Sequence, residues 1–253
     1  MGRTGSRLRG GWRMVGALST VLALLLPLPL LPSPAVPAAR AQHGGIMLPF
    51  EAGAEWFVSQ GYNTSPEEGW SHYNCDPRTG KDEISQSSRC DDGWQYKYSF
   101  DLRRVDGEEA GQPVLSPASG VVRWVDPAYG GLSLDLGDGF AVAFFHVDLA
   151  RGIAAGDELR VGQRVGHVSG PGGGGNGGTP HIHLTVWATE DGGNWSRTSV
   201  PFAGDHPLEG QAFPALPERE RNQYLNAVLA SSNAPAAPAA TPEAPLPVAP
   251  ADG

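Results

Sequence analysis

Short apolar runs separated by turn residues fill the middle of the sequence, and this pattern constrains the fold most. The sequence predicts strands at 56–58, 96–102, 114–115, 120–125, 132–136, 140–146, 159–161, 165–168 and 182–188. Gly137-Asp138-Gly139 between two of these runs is a strong hairpin signal. Helical periodicity is scarce before residue 217. We therefore predict an all-β domain, a single antiparallel sheet or sandwich built of hairpins.

The two ends of the chain differ from this middle part. Four arginines, an apolar run over 15–31 and the sequence Ala39-Arg40-Ala41 follow the layout of a secretory signal peptide, while Pro27 and Pro29 argue against a membrane anchor. The end of the chain is rich in Ala and Pro. The predicted organisation is a signal peptide at 1–41, a linker at 42–49, the domain at 50–213, a short helix at 214–230 and a disordered tail at 231–253.

Net charge and cysteines narrow the class of protein. The chain has 18 basic and 27 acidic residues, and loss of the five arginines in 1–41 would leave 13 against 27, a net charge of about −14. Such an acidic exported protein is a poor binder of nucleic acid or anionic membranes. Cys75 and Cys90 would face an oxidising compartment and predict one disulfide, with free thiols or a metal half-site as alternatives. The acidic residues around them fit no EF-hand spacing and indicate a solvated loop.

Gly178 to Trp187 contains the clearest chemical signal, two histidines two positions apart in a predicted strand. Residues i and i+2 of a strand point to the same face, so His181 and His183 should lie side by side. A glycine-rich segment, 170–178, precedes them and would form one wall of an open groove. Paired imidazoles beside an open loop suggest a metal or acid–base site, although an isolated pair is more often two surface histidines on an edge strand.

Three other residues could join this pair. His146 ends a strongly apolar run, and His72 follows Gly69-Trp70-Ser71. Asp101 lies in a half-apolar strand, where a buried carboxylate needs a partner. Each also has an ordinary explanation: His146 as a core histidine, and Asp101 as the ion-pair partner of Arg103 or Arg104. His43, His167 and His206 are interpreted as having no role in the site, the last two as surface residues.

Five segments, taken in order, resemble the lysostaphin-type zinc endopeptidases, the LytM-like family that cuts peptidoglycan cross-links. The resemblance covers about 120 residues, from Trp70 to Ala188. The segments are Phe-Asp-Leu at 100–102, Gly-Gln-Pro-Val-Leu-Ser-Pro-Ala-Ser-Gly-Val-Val at 111–122, Phe-Phe-His-Val at 144–147, Gly-Asp-Glu-Leu-Arg-Val-Gly-Gln-Arg-Val-Gly-His-Val at 156–168 and Gly-Thr-Pro-His-Ile-His-Leu at 178–184. The segments at 156–168 and 178–184, when they occur together, are specific for this family.

The resemblance implies a role for each matching residue. Asp101 and His183 would be ligands of one zinc ion, and His146 and His181 would be the catalytic partners. Three protein ligands leave a fourth position of a tetrahedral zinc site open, as catalytic zinc requires. The zinc would activate a water molecule, and the catalytic histidines would transfer protons. The sequence does not assign the base to one of these two histidines.

Two positions depart from the family pattern. Many members have the first ligand histidine four residues before the aspartate, where this chain has Lys97. Either the chain is a metal-free, degenerate member, or the ligand comes from upstream, as in the staphylolysin-like branch, with His72 as that ligand. We favour the second interpretation because the other site positions are intact. Phe144 replaces the usual tyrosine, which would alter how a substrate carbonyl is oriented.

The expected function is that of a secreted zinc metalloendopeptidase that acts on peptidoglycan peptides or glycine-rich peptides and can associate with the cell wall. A rival interpretation is a metal-free module that binds peptidoglycan or regulates another hydrolase. A second rival is a carbohydrate-binding or lipoyl-like β-domain with incidental histidines.

Overall fold

A computed structural model describes residues 45–62, 72, 75–76, 81–82, 95–137, 139–188, 198–217 and 222–237. The strands, in chain order, are β1 Glu55–Gln60, β2 Cys75–Asp76, β3 Lys81–Asp82, β4 Ser99–Arg104, β5 Pro113–Leu115, β6 Gly120–Asp126, β7 Gly131–Asp135, β8 Phe140–Phe145, β9 Val147–Leu149, β10 Glu158–Leu159, β11 Arg164–Val168, β12 Ile182–Ala188, β13 Thr198–Val200 and β14 Val228–Ala230. A 3-10 turn, Gly173–Gly175, lies between β11 and β12.

The described strands form one large sheet and two small ones. The large sheet has the order β10-β6-β7-β8-β12-β4-β1-β14, and β13 extends the β4 side of β12. A second sheet has the order β5-β11-β9, and β2 pairs with β3. Every ladder between these strands is antiparallel, with β7 and β8 joined through the predicted hairpin. The prediction of an all-β fold is confirmed.

Strand β12 lies between β4 and β8 in the large sheet. Its side chains are buried on both faces because an apolar cluster covers each face. Ile182, Leu184 and Val186 point into the main apolar core. Trp187 points to the opposite face, where it joins Phe145 in a smaller apolar cluster. His183 shares this second face by the two-residue alternation of a strand. The expectation of an edge strand for an isolated histidine pair is therefore wrong here.

The predicted helix in 214–230 is absent from the residues described there. Gln223 forms a β-bridge with Tyr62, and Val228–Ala230 pairs with β1. Tyr224 and Asn226 have φ angles of 67° and 64°, which no α-helix accommodates. The apolar spacing that suggested a helix instead places Leu229 in the core opposite Trp56, so tertiary pairing overrides the local pattern.

The boundaries predicted for the linker and the tail are also wrong where residues are described. Leu48, from the predicted linker, is fully buried. Ser231 and Asn233, from the predicted tail, are buried and donate side-chain hydrogen bonds to the carbonyls of Phe50, Leu48 and Ser116. Side chains from the predicted tail thus provide hydrogen-bond donors for buried backbone carbonyls at 48, 50 and 116. The amino-acid composition of these segments does not indicate such pairing.

Other predictions fall partly beyond the described residues. The segment 1–41, His43, residues 238–253 and Cys90 lie there, so the signal peptide, the end of the tail and the Cys75–Cys90 bridge stay predictions. Among the residues that are described, no helix has the length and apolar character needed to cross a membrane.

Candidate metal centre

Strand register places the first two site residues side by side. Asp101 of β4 lies directly opposite His183 of β12, and His183 lies opposite Phe145 of β8. The three side chains therefore form a row on the face of the sheet away from the main core. The Nδ1 atom of His183 is 3.0 Å from Oδ1 of Asp101. The rings of Phe145 and Tyr96 contact the His183 imidazole edge to face, with centroid distances of 5.4 and 4.9 Å.

His72 reaches the same carboxylate from outside the sheet. Its Nε2 atom is 3.0 Å from Oδ1 of Asp101, and its Nδ1 atom is 2.8 Å from the Gly61 carbonyl oxygen. The imidazoles of His72 and His183 meet edge to face at 4.9 Å. All three residues are buried, and one ligand atom from each lies within 4.8 Å of the other two.

The hydrogen-bond partners of these nitrogens fit a bound cation. The Gly61 oxygen can only accept, so Nδ1 of His72 carries a hydrogen, and a neutral ring then turns the Nε2 lone pair towards the Asp101 carboxylate. Two acceptors facing each other repel unless a proton or a metal ion lies between them. Nε2 of His183 is buried and has no partner among the described residues, which fits a ring whose Nδ1 is the ligand atom. Two imidazoles and one carboxylate form a donor set that suits zinc.

His181 and His146 complete the group on its more exposed side. Nε2 of His181 is 3.6 Å from Oδ2 of Asp101, while its Nδ1 donates to the Thr179 carbonyl at 2.7 Å. His146 donates from Nδ1 to the Gly174 carbonyl at 2.6 Å. The rings of His146 and His181 are 4.5 Å apart. In both residues the carbonyl fixes the hydrogen on Nδ1, which leaves Nε2 of the neutral ring able to accept a proton.

Burial and neighbouring charges lower three pKa values in this group. Burial alone would raise the pKa of Asp101, but the nearby imidazoles of His72 and His181, together with the close contacts of His183 and His72 with its carboxylate, hold it well below its usual range. Burial lowers the pKa of His183 to about 4 despite its hydrogen bond to Asp101. Burial, followed by the charge of His181, lowers the pKa of His146 to about 4. The carboxylate is therefore ionised, and these two histidines are neutral near pH 7.

The structure brings together all five residues that the sequence singled out. Asp101 does not pair with the neighbouring arginines, since Arg103 binds Glu109 and Arg104 binds Asp106. His181 and His183 both face Asp101, as strand alternation predicted.

Lys97 and Phe144 are the two departures from the family pattern. Lys97 is buried in the turn before β4, and its ammonium group lies 5.4 Å from the centroid of the Tyr98 ring. Phe144 is fully buried in the main core on the other face of the sheet, opposite Leu184. The expectation that Phe144 alters substrate orientation is therefore wrong.

His206 and His167 contribute nothing to the site. His206 was expected at the surface but is buried against the Phe140 ring, because the segment after β13 folds back over the sheet. His167 is exposed, as predicted.

Sequence reasoning missed the backbone groups that orient the imidazoles. The carbonyls of Gly61, Gly174 and Thr179 each accept from one histidine, and a carbonyl leaves no mark in a sequence. It also missed Asn176, the only residue other than glycine in 172–178, which binds backbone groups of its own loop. A lone asparagine in a glycine run could have been noticed as a turn former.

Comparisons with known proteins leave the family open. No family model matches the chain, and no curated protein matches it. Solved structures that it resembles include the catalytic domain of the prophage-encoded M23 protein EnpA from Enterococcus faecalis (23% identity, 40% of this chain, 72% of that chain, TM-score 0.32). Another is the deep-sea M23 metalloprotease pseudoalterin (18% identity, 57% of this chain, 70% of that chain, TM-score 0.36). A third is a zinc-containing peptidase from Vibrio cholerae (18% identity, 61% of this chain, 38% of that chain, TM-score 0.38). At these scores the likeness does not assign an activity to this chain.

Proposed function

We propose that this chain is an exported zinc metalloendopeptidase that hydrolyses peptide bonds, with peptidoglycan cross-links as its substrate. The observation that carries the proposal is the convergence of His72, Asp101 and His183 beside two further histidines whose Nδ1 atoms are already engaged. A structural zinc site would have no need for His146 and His181 at its open side. The five segments that resemble the lysostaphin-type enzymes point to the same chemistry.

His72, Asp101 and His183 would hold the ion. A zinc ion bound there supplies Lewis acidity, which polarises a carbonyl group and makes water acidic enough to react near pH 7. Asp101 contributes the negative charge that favours a divalent cation in a buried position, and its low pKa keeps that charge. Gly61 supports the set by fixing the tautomer of His72.

The two remaining histidines would move protons. His146 is neutral near pH 7, so its Nε2 can take a proton from the attacking water and return it to the leaving amine. His181 lies on the open side of the group, with Nε2 3.6 Å from Oδ2 of Asp101, and would stabilise the developing oxyanion. This assignment goes beyond the sequence, which left the two roles open.

The substrate and the location are proposed from the sequence. The resemblance to peptidoglycan endopeptidases favours a cell-wall peptide. The glycine-rich segment 170–178 would offer a wall with few side chains, which suits glycine-containing cross-bridges. The signal-like residues 1–41 favour export.

The alternative of a metal-free module loses its main argument. That interpretation arose from Lys97 at the position of a ligand histidine. With His72 beside Asp101 and His183, three donors are present without Lys97.

Zinc content and hydrolysis, measured together, test the proposal. We expect one zinc per chain in the purified protein and release of peptides from peptidoglycan, with both lost in His72→Ala. The matched control is His167→Ala, which removes an exposed histidine outside the site and should change neither quantity. A wild-type chain that takes up no zinc, or one that binds zinc equally well without His72, would overturn the proposal.

A further inference from the structure

The glycine-rich loop between β11 and β12 is organised by a single side chain. Asn176 is 4% exposed, and its Oδ1 atom accepts hydrogen bonds from the backbone N–H groups of Gly172 at 2.9 Å and Gly178 at 3.1 Å. Its Nδ2 atom donates to the carbonyls of Gly170 at 2.8 Å and Ser169 at 3.4 Å. One carboxamide therefore ties together four backbone groups on both sides of the loop.

This loop needs such a tie because of its composition. Between residues 172 and 178 every residue except Asn176 is glycine. Glycine has the largest backbone freedom to lose on folding, and Gly172, Gly174 and Gly178 hold φ angles of 78°, 54° and 92°. No other side chain between 172 and 178 can select one conformation. The four hydrogen bonds of the Asn176 side chain therefore hold the loop in this shape, together with the backbone hydrogen bonds that Gly173 and Asn176 donate to the carbonyls of Gly170 and Gly173.

The loop also contacts His146 and accepts a hydrogen bond from its ring. The Gly174 carbonyl, which lies in sequence between the two amides that Asn176 binds, accepts the 2.6 Å hydrogen bond from His146 Nδ1. The two backbones are in close contact, because a Cβ atom placed on Gly174 would lie 3.0 Å from Cα of His146. His146 itself has a φ of 70°, an uncommon conformation that surrounding contacts must maintain.

We propose that Asn176 is a positioning residue that holds the Gly174 carbonyl in place, and so fixes the orientation and tautomer of His146. The structural part of this inference stands on the hydrogen bonds alone. The catalytic consequence rests on the proposed function, in which Nε2 of His146 exchanges protons with the substrate. Without Asn176, the loop samples other shapes and the His146 ring loses its fixed acceptor.

A spectroscopic test addresses the structural part without requiring any activity. Nitrogen-15 NMR of histidine-labelled protein distinguishes a ring with hydrogen on Nδ1 from one with hydrogen on Nε2. In the wild type we expect His146 to carry its hydrogen on Nδ1, and in Asn176→Ala we expect a mixture of both tautomers. An unchanged Nδ1–H signature in Asn176→Ala would overturn the proposal.

Asn233→Ala is the matched control for general destabilisation. Asn233 is 1% exposed and also donates from Nδ2 to two backbone carbonyls, those of Leu48 and Ser116, none of them in the site. It should lower stability while leaving the His146 tautomer as in the wild type. If Asn176→Ala fails to fold, Asn176→Asp serves instead, because it keeps the acceptor for Gly172 and Gly178 but loses both donors. A His146 spectrum that changes equally in Asn233→Ala would also overturn the proposal.

Kinetics test the catalytic part. For Asn176→Ala we expect kcat to fall about 10²-fold, the effect of displacing a catalytic group by roughly 1 Å, with KM and zinc content unchanged. A loss of zinc, or a change confined to KM, would contradict a positioning role. If the wild type binds zinc but hydrolyses nothing, the proposed function fails while the NMR result still decides whether Asn176 fixes His146.

Discussion

The ligand side and the proton-transfer side of the site are built from different kinds of structure. Asp101 and His183 project from adjacent central strands, where register fixes their separation. His146 and His181 lie just beyond strand ends, and backbone carbonyls of nearby segments hold their rings. His146 even adopts a left-handed backbone conformation, with φ of 70°. Strand register thus places two of the three ligands, whereas the rings of His72 and of the two proton-transfer histidines are oriented by backbone carbonyls.

Removing Asp101 should produce the largest effect, because its carboxylate lies 3.0 Å from a ring nitrogen of each ligand histidine and supplies the negative charge of the donor set. In Asp101→Ala we expect zinc content to fall from about one per chain to almost none, and hydrolysis to fall with it. Elemental analysis of the purified variant measures the first quantity. Asp106→Ala, which removes an exposed carboxylate paired with Arg104, is the control and should retain zinc.

His146→Ala should separate the two sides of the site. We expect hydrolysis to drop by about 10² to 10⁴-fold, the usual contribution of a general acid or base, while zinc content stays at one per chain. Steady-state kinetics and metal analysis on the same sample measure both. Loss of zinc in this variant would mean that His146 is a ligand and that the division into two sides is wrong.

The chain end tests how far the sheet depends on residues after 227. A chain ended after residue 227 lacks β14, the buried Leu229 and Asn233, and should lose about 3 kcal/mol or more of unfolding free energy. A chain ended after residue 237 keeps all of these contacts and should match the full chain. Urea denaturation compares them. Equal stability of the shorter chain would contradict the role of β14.

Lys97→Met should have the smallest effect. A lysine ammonium is not a zinc ligand, and this one lies 5.4 Å from the centroid of the Tyr98 ring, so we expect unchanged zinc content and a stability change of no more than about 2 kcal/mol. Metal analysis and thermal unfolding measure these. A gain or loss of zinc in this variant would show that Lys97 influences the site after all.

The sequence predicted the parts of this molecule that depend on local pattern. Alternation in 182–188 gave the strand and the shared face of His181 and His183, and Gly137-Asp138-Gly139 gave a hairpin. It failed where distant segments decide the structure. The spacing around Leu229 fits a helix, yet pairing with Trp56 makes a strand. Likewise, the sequence around His206 does not predict that the ring of Phe140, 66 residues earlier, packs against it.

The contact between the two ends of the domain also affects when the chain can fold. Asn233 donates to Leu48 across 185 residues of sequence, and β14 completes the sheet beside β1. Pairings over such separations form slowly, and none of them can form before the last segment has left the ribosome. A nascent chain is thus expected to stay incompletely folded until residues 228–233 have emerged. For a chain exported as we propose, that delay would keep it unfolded enough to pass through a secretion channel. The hydrolytic centre would then form only after the chain has crossed the membrane.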